Sequence, residues 1–278
     1  ATSVTLTNTG AVILAGAITS ATVDASTATA ATTVALGAAV VTYTGGSGND
    51  TVDAAGTLTV ADTFAGGEGT DTIILDAAPT ALTGARITAF ENIRIGGNAQ
   101  TFDTDFLATT SYQIEGHATT TITDMSNNST VELLGSNGTI VDLSMKTNTA
   151  SDVMTLTFST LATAQTLGEL DGANTNIDTL NIVSGGGAGN VITAFDIDVV
   201  GVNVTGAQAL TITALTNNAG ATEELEVFDA SALTGALTAT FTNADNALTV
   251  TGSATAANTV VMSIGDDTFV GGAAVDTV

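Results

Sequence analysis

Short runs of alternating apolar and polar residues recur along the chain, with Gly, Asn, Asp or Ser between them. Thr139–Leu143 and Thr155–Phe158 are two such runs. Period-2 alternation over such lengths is the pattern of a β-strand. A doubly wound α/β fold is excluded because it needs a helix between strands, and no sustained 3.6-residue stripe lies between the runs. Short helical turns are predicted near Asp103–Thr109 and Ser231–Leu233.

The recurring order of a strand and then a Gly- or Asp-containing turn favours coils stacked on one another over a β-sandwich. We therefore predict an all-β fold, a β-solenoid of stacked parallel strands. The chain is 44% hydrophobic but has no Trp and only two Tyr. Its apolar side chains are therefore mostly small or β-branched, and such side chains suit stacked sheets better than helix packing.

The chemistry of the turns divides the chain into four predicted segments. Residues 1–44 form an N-terminal β segment, and residues 45–76 carry a dense Gly/Asp pattern. Residues 77–262 form a Thr/Ala-rich strand array, and residues 263–278 begin a second Gly/Asp segment. No linker separates them. The chain lacks natural-looking ends, so we expect a fragment or a processed product.

The charge limits the partners, since 28 Asp and Glu oppose three Lys and Arg for a net charge of -25. Nucleic acids and anionic membrane surfaces are excluded because both need a basic footprint. Residues 11–18 are too short to span a bilayer, so membrane insertion is not expected. Excess carboxylates favour bound cations such as Ca²⁺. With no Cys in the chain, a bound metal can replace disulfides as the stabilising device.

The most informative motif is G-G-x-G-x-D-x-apolar. Gly45–Val52 and Gly66–Ile74 are complete copies. Thr57–Ala65 is a degenerate copy without the glycines, and its Asp62 lies nine residues before Asp71.

A second group of copies lies in Gly265–Val278. Asp267 and Asp276 are again nine residues apart, although Ala274 replaces the third glycine. The copies do not form an uninterrupted tandem array.

The spacing has a physical reason. Glycines allow positive φ and let carbonyls turn inward, the Asp supplies a carboxylate, and the apolar residue starts a strand in the core. Two turns stacked ~4.8 Å apart could share a Ca²⁺. An ordinary Gly-Asp turn is the alternative. The candidate metal ligands are Gly45, Ser47, Asn49, Asp50, Asp62, Gly66, Glu68, Asp71, Asp266, Asp267 and Asp276.

These copies resemble the nonapeptide repeats of the RTX family of type I-secreted bacterial proteins, which implies β-roll segments that order in extracellular calcium. Ile87–Ile95 and Val227–Gly235 also resemble strand phrases of surface-layer (S-layer) proteins of the Caulobacter type. That resemblance implies a secreted, cell-surface structural protein that assembles with other copies of itself into a calcium-dependent lattice. A cell-surface polysaccharide, contacted through a region absent from this chain, is left open as a further partner.

We expect no enzymatic activity. His117 is the one histidine, and no G-x-S-x-G elbow occurs. Gly185–Gly189 lacks the Lys of a phosphate loop. The pairs Asp103/Asp105 and Asp196/Asp198 could mimic a catalytic dyad on one face of a strand, but they are expected to be outward-facing carboxylates. Asp171–Asp178 resembles only a loose calcium loop. Two other hypotheses remain: the repeat region of a secreted adhesin, or the non-catalytic tail of an RTX exoenzyme.

Overall fold

The computed structural model describes ten stretches of the chain: residues 3–37, 41–54, 58–97, 100–116, 119–149, 151–159, 163–172, 177–216, 224–241 and 247–278. It divides into two compact units, Ala1–Gln113 and Ile114–Val278. Each unit is described separately below.

In the first unit, each coil contributes one strand to each of two parallel sheets. The first sheet has the order β1 (Ser3–Thr5), β3 (Thr22–Asp24), β5 (Thr42–Thr44), β7 (Thr63–Ala65) and β9 (Ile87–Thr88). The second contains β2 (Val12–Ile18), β4 (Thr32–Leu36), β6 (Thr51–Asp53), β8 (Thr72–Leu75) and β10 (Asn92–Ile95). Strand β11 (Gln100–Asp103) follows, and β12 (Ser111–Ile114) begins in the first unit and has its last residue in the second.

The core of the first unit consists of inward-facing side chains stacked in register. Val23 opposes Tyr43, which opposes Phe64 in the next coil. All three are buried. The alternating pattern of buried and half-buried residues along β3 and β5 explains why the sequence alternates there.

Helix is rare in the described residues. The one described helix, α1 (Ala81–Gly84), has Thr80 at its N-cap. The predicted helical turns are wrong: Asp103 ends strand β11, no helix follows up to Thr109, and Ser231–Leu233 lies inside a strand of the second unit.

The second unit repeats the arrangement. One parallel sheet has the order β13 (Thr120–Met125), β15 (Asn137–Met145), β17 (Thr166–Gly172), β19 (Asn190–Ile197), β21 (Leu210–Leu215), β23 (Leu237–Phe241) and β25 (Thr259–Val261). The other has the order β14 (Ser129–Leu133), β16 (Val153–Phe158), β18 (Thr179–Ser184), β20 (Gly201–Gly206), β22 (Val227–Leu233), β24 (Thr249–Thr251) and β26 (Thr268–Val270).

Aliphatic and aromatic side chains fill the core of the second unit. Leu180, Val202 and Phe228 stack in consecutive coils. Phe228 also meets Phe241 edge-to-face, with ring centroids 5.3 Å apart and planes at 78°. Such a pair contributes about 0.5–1.5 kcal/mol beyond burial.

The prediction of an all-β fold built as a parallel β-solenoid is confirmed. The four-segment division by turn chemistry stays a prediction. Among the described residues, no helix has the length and apolar character needed to cross a bilayer.

Candidate functional site

The two complete glycine-rich copies form turns in consecutive coils. We call Gly45–Asp50 the first glycine turn and Gly66–Asp71 the second glycine turn. Each leads into a strand of the same sheet, and Val52 opposes Ile73 in register. The sequence spacing therefore places the two turns directly next to each other, as the prediction of a shared ion requires.

In the first glycine turn, protein donors use both oxygens of the Asp50 carboxylate. Oδ1 accepts the backbone N–H of Thr32, one coil earlier, at 2.8 Å. Oδ2 accepts the Tyr43 hydroxyl and the Gly46 N–H, each at 3.1 Å. Asp50 is buried. Its carboxylate therefore fastens its own turn to the preceding coil.

In the second glycine turn, only one carboxylate oxygen is used. Asp71 Oδ1 accepts the Asp50 N–H at 2.6 Å, which repeats the link between coils. Asp71 Oδ2 is buried and has no hydrogen-bond partner, and the residue is 0% exposed. The Asp71 N–H in turn donates to Glu91 Oε2 at 2.7 Å.

The residue seven positions before each Asp explains part of this difference. Tyr43 and Phe64 oppose each other in register and precede Asp50 and Asp71 by the same number of residues. Tyr43 donates its hydroxyl to Asp50, whereas Phe64 has no hydroxyl to donate. Phe64 therefore keeps the aromatic ring that packs in the core but lacks the hydroxyl that could donate to Asp71.

The glycines at the start of both turns allow close approach between coils. A Cβ on Gly45 would lie 1.6 Å from the Gly66 carbonyl oxygen and 2.7 Å from Asp50 Oδ2. A Cβ on Gly66 would lie 1.8 Å from the Ala89 carbonyl oxygen and 2.7 Å from Asp71 Oδ2. In both turns a carbonyl oxygen of the following coil therefore lies close to the turn's own carboxylate.

The electrostatics of the second turn reflect this crowding of oxygens. Burial raises the pKa of Asp71 to about 6, and the nearby charges of Asp50 and Glu91 add to the effect, although the bond from the Asp50 N–H opposes it. Burial and the Asp50 carboxylate likewise raise the pKa of the Tyr43 hydroxyl. Tyr43 therefore stays protonated and donates its hydrogen bond.

The degenerate copies use their carboxylates as the first turn does. Asp62 accepts the N–H groups of Val41 at 3.1 Å and Thr59 at 2.7 Å. Thr57, at the start of that copy, lies outside the described residues. Both oxygens of Asp62 are thus occupied by protein donors.

The two copies near the C-terminus show the same arrangement. Asp267 accepts the Leu248 N–H at 3.0 Å and the Ser263 hydroxyl at 2.6 Å. Asp276 accepts the Asn258 N–H at 2.8 Å and the Gly272 N–H at 3.1 Å. These hydrogen bonds hold the pKa of Asp276 below its usual range.

The other predicted ligands lie on the outer side of their turns. Ser47, Asn49, Glu68 and Asp266 are exposed. The Asn49 side chain accepts the Thr70 N–H of the next coil at 3.0 Å. Among the described residues, no three of the predicted carboxylates lie close enough together to surround an ion. Any ion at these turns would therefore need backbone carbonyl oxygens as well.

The linking of coils through a corner side chain extends beyond the predicted sites. Asp178 Oδ2 accepts the Asp152 N–H at 2.5 Å, and Asn190 Oδ1 accepts the Gln165 N–H at 3.1 Å. No glycine motif precedes Asp178, and the glycine-rich run Gly185–Gly189 before Asn190 is followed by Asn in place of the motif's Asp. Each of the two residues lies at the start of a strand, Asp178 just before β18 and Asn190 as the first residue of β19, and an Asp or Asn in that position is the signal that the sequence offers.

A second feature that the sequence did not reveal is a column of aspartates in the second unit. Asp142, Asp171 and Asp196 oppose one another in register in β15, β17 and β19. Thr121 opposes Asp142 at one end. Burial and the neighbouring Asp171 charge raise the pKa values of Asp142 and Asp196. We call these three residues the aspartate column.

The expectation for Asp196 and Asp198 is partly wrong. Asp196 is half-buried within the column, whereas Asp198 is 5% exposed and therefore not outward-facing. His117 and residues 173–176 of the suggested Asp171–Asp178 loop lie outside the described residues.

Fold and site together define a class, the acidic parallel β-solenoids in which carboxylates at the turns join successive coils. No protein-family model, curated protein or solved structure matches the chain.

Proposed function

We propose that this chain is a calcium-stabilised structural β-solenoid of the RTX type, working outside the cell as a building block of a surface layer. The observation that carries the proposal is the stacking of the two complete glycine turns, with the Asp50 N–H bound to Asp71 Oδ1. A Ca²⁺ bridging two turns requires this adjacency. A single turn supplies too few oxygens, so binding and folding would be coupled.

The unbalanced charge supports a role for cations. A net charge of -25 opposes compaction, and the aspartate column places like charges opposite one another, which destabilises a sheet. Divalent cations would screen this repulsion. Before export the carboxylates would loosen the chain, and extracellular calcium would then order it.

Exposed apolar side chains support self-association. Val261, Ile264, Val270 and Val275 are 54%, 92%, 48% and 88% exposed within one short stretch of the second unit. Large apolar side chains that a single chain leaves exposed are available for contacts with another chain. A second copy of the chain is the partner that a lattice requires.

Calcium titration into metal-free protein tests the proposal, with Mg²⁺ as the matched control. We expect a calcium-specific gain of β signal in circular dichroism, followed by growth of the particles in light scattering. Ordering without growth would contradict the surface-layer role and favour an adhesin or an exoenzyme tail. No response to calcium would contradict the calcium-dependent mechanism itself.

A further inference from the structure

The five aspartates of the glycine-motif copies differ in one respect. In four of them, protein donors occupy both carboxylate oxygens: Asp50, Asp62, Asp267 and Asp276. Asp71 Oδ2 alone among the five is buried without a partner. A buried carboxylate oxygen with no donor costs about 1–3 kcal/mol or more. A ligand bound to Asp71 Oδ2 would offset this cost.

The backbone of the second glycine turn does not provide the N–H donor that Gly46 provides in the first turn. Gly46 N–H donates to Asp50 in the first turn. Gly67, its counterpart, has φ +110° and Gly69 has φ +122°, a conformation that glycine adopts easily. With Phe64 in place of Tyr43, neither donor of the first turn is reproduced for Asp71 Oδ2.

A second oxygen lies near Asp71 Oδ2. The Ala89 carbonyl oxygen and Asp71 Oδ2 lie 1.8 and 2.7 Å from the same point, the position that a Gly66 Cβ would take. Ala89 has φ +53°, a left-handed conformation that costs a non-glycine residue about 1–2 kcal/mol. Two acceptor oxygens thus lie near the same point, and a hard cation placed between them would satisfy both.

An open groove beside the second glycine turn supplies further oxygens. Ala89 and Glu91 are exposed and line an open groove together with Thr109 and Ser111. The Glu91 carboxylate is held beside the second turn by the bond from the Asp71 N–H. Calcium takes six to eight oxygen ligands, often including waters, and water in the groove can complete the shell.

We propose that the second glycine turn holds a Ca²⁺ through Asp71 Oδ2 and the Ala89 carbonyl oxygen, with Glu91 on the groove side, whereas the other four turns are closed by their own hydrogen bonds. The inference rests on the proposed function and narrows it, because it places the ion between the second glycine turn and the following coil, which contributes Ala89 and Glu91, and not between the two complete glycine turns. The first turn is then a structural link of the same sequence type.

Isothermal titration calorimetry with CaCl₂ on metal-free chain tests the assignment. Asp71→Asn keeps an oxygen for the Asp50 N–H and places an amide donor beside the Ala89 carbonyl, so it should fold and lose this site. Phe64→Tyr offers Asp71 the hydroxyl that Tyr43 gives Asp50, and it should weaken binding at least tenfold. Asp62→Asn is the matched control and should bind calcium as the wild type does.

The outcomes separate the two proposals. If the wild type binds no calcium, the proposed function fails together with the assignment. If the wild type binds calcium and both Asp71→Asn and Phe64→Tyr bind it unchanged, only the assignment is overturned. If Asp71→Asn does not fold, as judged by circular dichroism, Phe64→Tyr alone decides.

Discussion

The two complete glycine turns share one sequence pattern but differ in how they treat the carboxylate. In the first turn, Asp50 receives three hydrogen bonds. In the second, Asp71 receives one and keeps a bare oxygen. The motif thus determines where the carboxylate lies, and residues outside it determine whether the carboxylate is satisfied.

The largest expected effect comes from truncating the two aspartates. Asp50→Ala leaves three donors without their acceptor in a buried turn, at about 1–3 kcal/mol each. Asp71→Ala removes one acceptor and also the buried charge, so it should cost much less. Urea denaturation in EDTA measures both free energies of unfolding. Equal losses would show that the two turns do not differ as the hydrogen bonds indicate.

The next effect concerns the contact between the turns. Gly45→Ala places a Cβ 1.6 Å from the Gly66 carbonyl oxygen, so the coils must separate, at a cost of about 3 kcal/mol. Gly16→Ala is the control, since nothing lies within 4 Å of its Cβ position. Thermal unfolding of both variants compares them. A Gly45→Ala protein as stable as Gly16→Ala would contradict the close stacking.

The same residues show how far the sequence predicts this site. Alternation and turn spacing predicted the parallel β-solenoid, because inward-facing residues such as Val52 and Ile73 must recur once per coil to stack. The spacing also placed Asp50 and Asp71 in adjacent turns. It did not show that Asp50 is already satisfied, because that depends on Thr32, one coil away.

The aspartate column shows a second limit. Asp142, Asp171 and Asp196 are separated by unequal numbers of residues, since the loops between their strands differ in length. The register that aligns them is set by the buried partners of each strand, such as Leu170 and Phe195. A search for a constant repeat therefore cannot find the column.

Exchange of the aromatic residues should transfer a hydrogen bond from one turn to the other. Tyr43→Phe leaves Asp50 with two donors and should cost about 1–1.5 kcal/mol. Phe64→Tyr should stabilise metal-free protein by supplying Asp71 Oδ2 with a donor. Denaturation midpoints in EDTA measure both changes, and the double variant should lie near the wild type. Destabilisation by Phe64→Tyr would show that its ring lacks the space that Tyr43 has.

The smallest effect concerns the aspartate column. Its carboxylates repel one another, whereas the Asp50 carboxylate of the first glycine turn accepts hydrogen bonds. The raised pKa values of Asp142 and Asp196 mean that the folded state holds these protons more tightly than the unfolded chain. The resulting stability is fully present below the ordinary aspartate pKa of 3.8 and is lost as pH rises through the raised pKa values. Asp171→Asn should reduce this loss and stabilise the calcium-free protein at pH 7 by about 0.5 kcal/mol. The gain should shrink in high salt, whereas replacement of the exposed Glu226 in Glu226→Gln should leave the stability at pH 7 unchanged. A profile that Asp171→Asn does not alter would show that the column carries no repulsion.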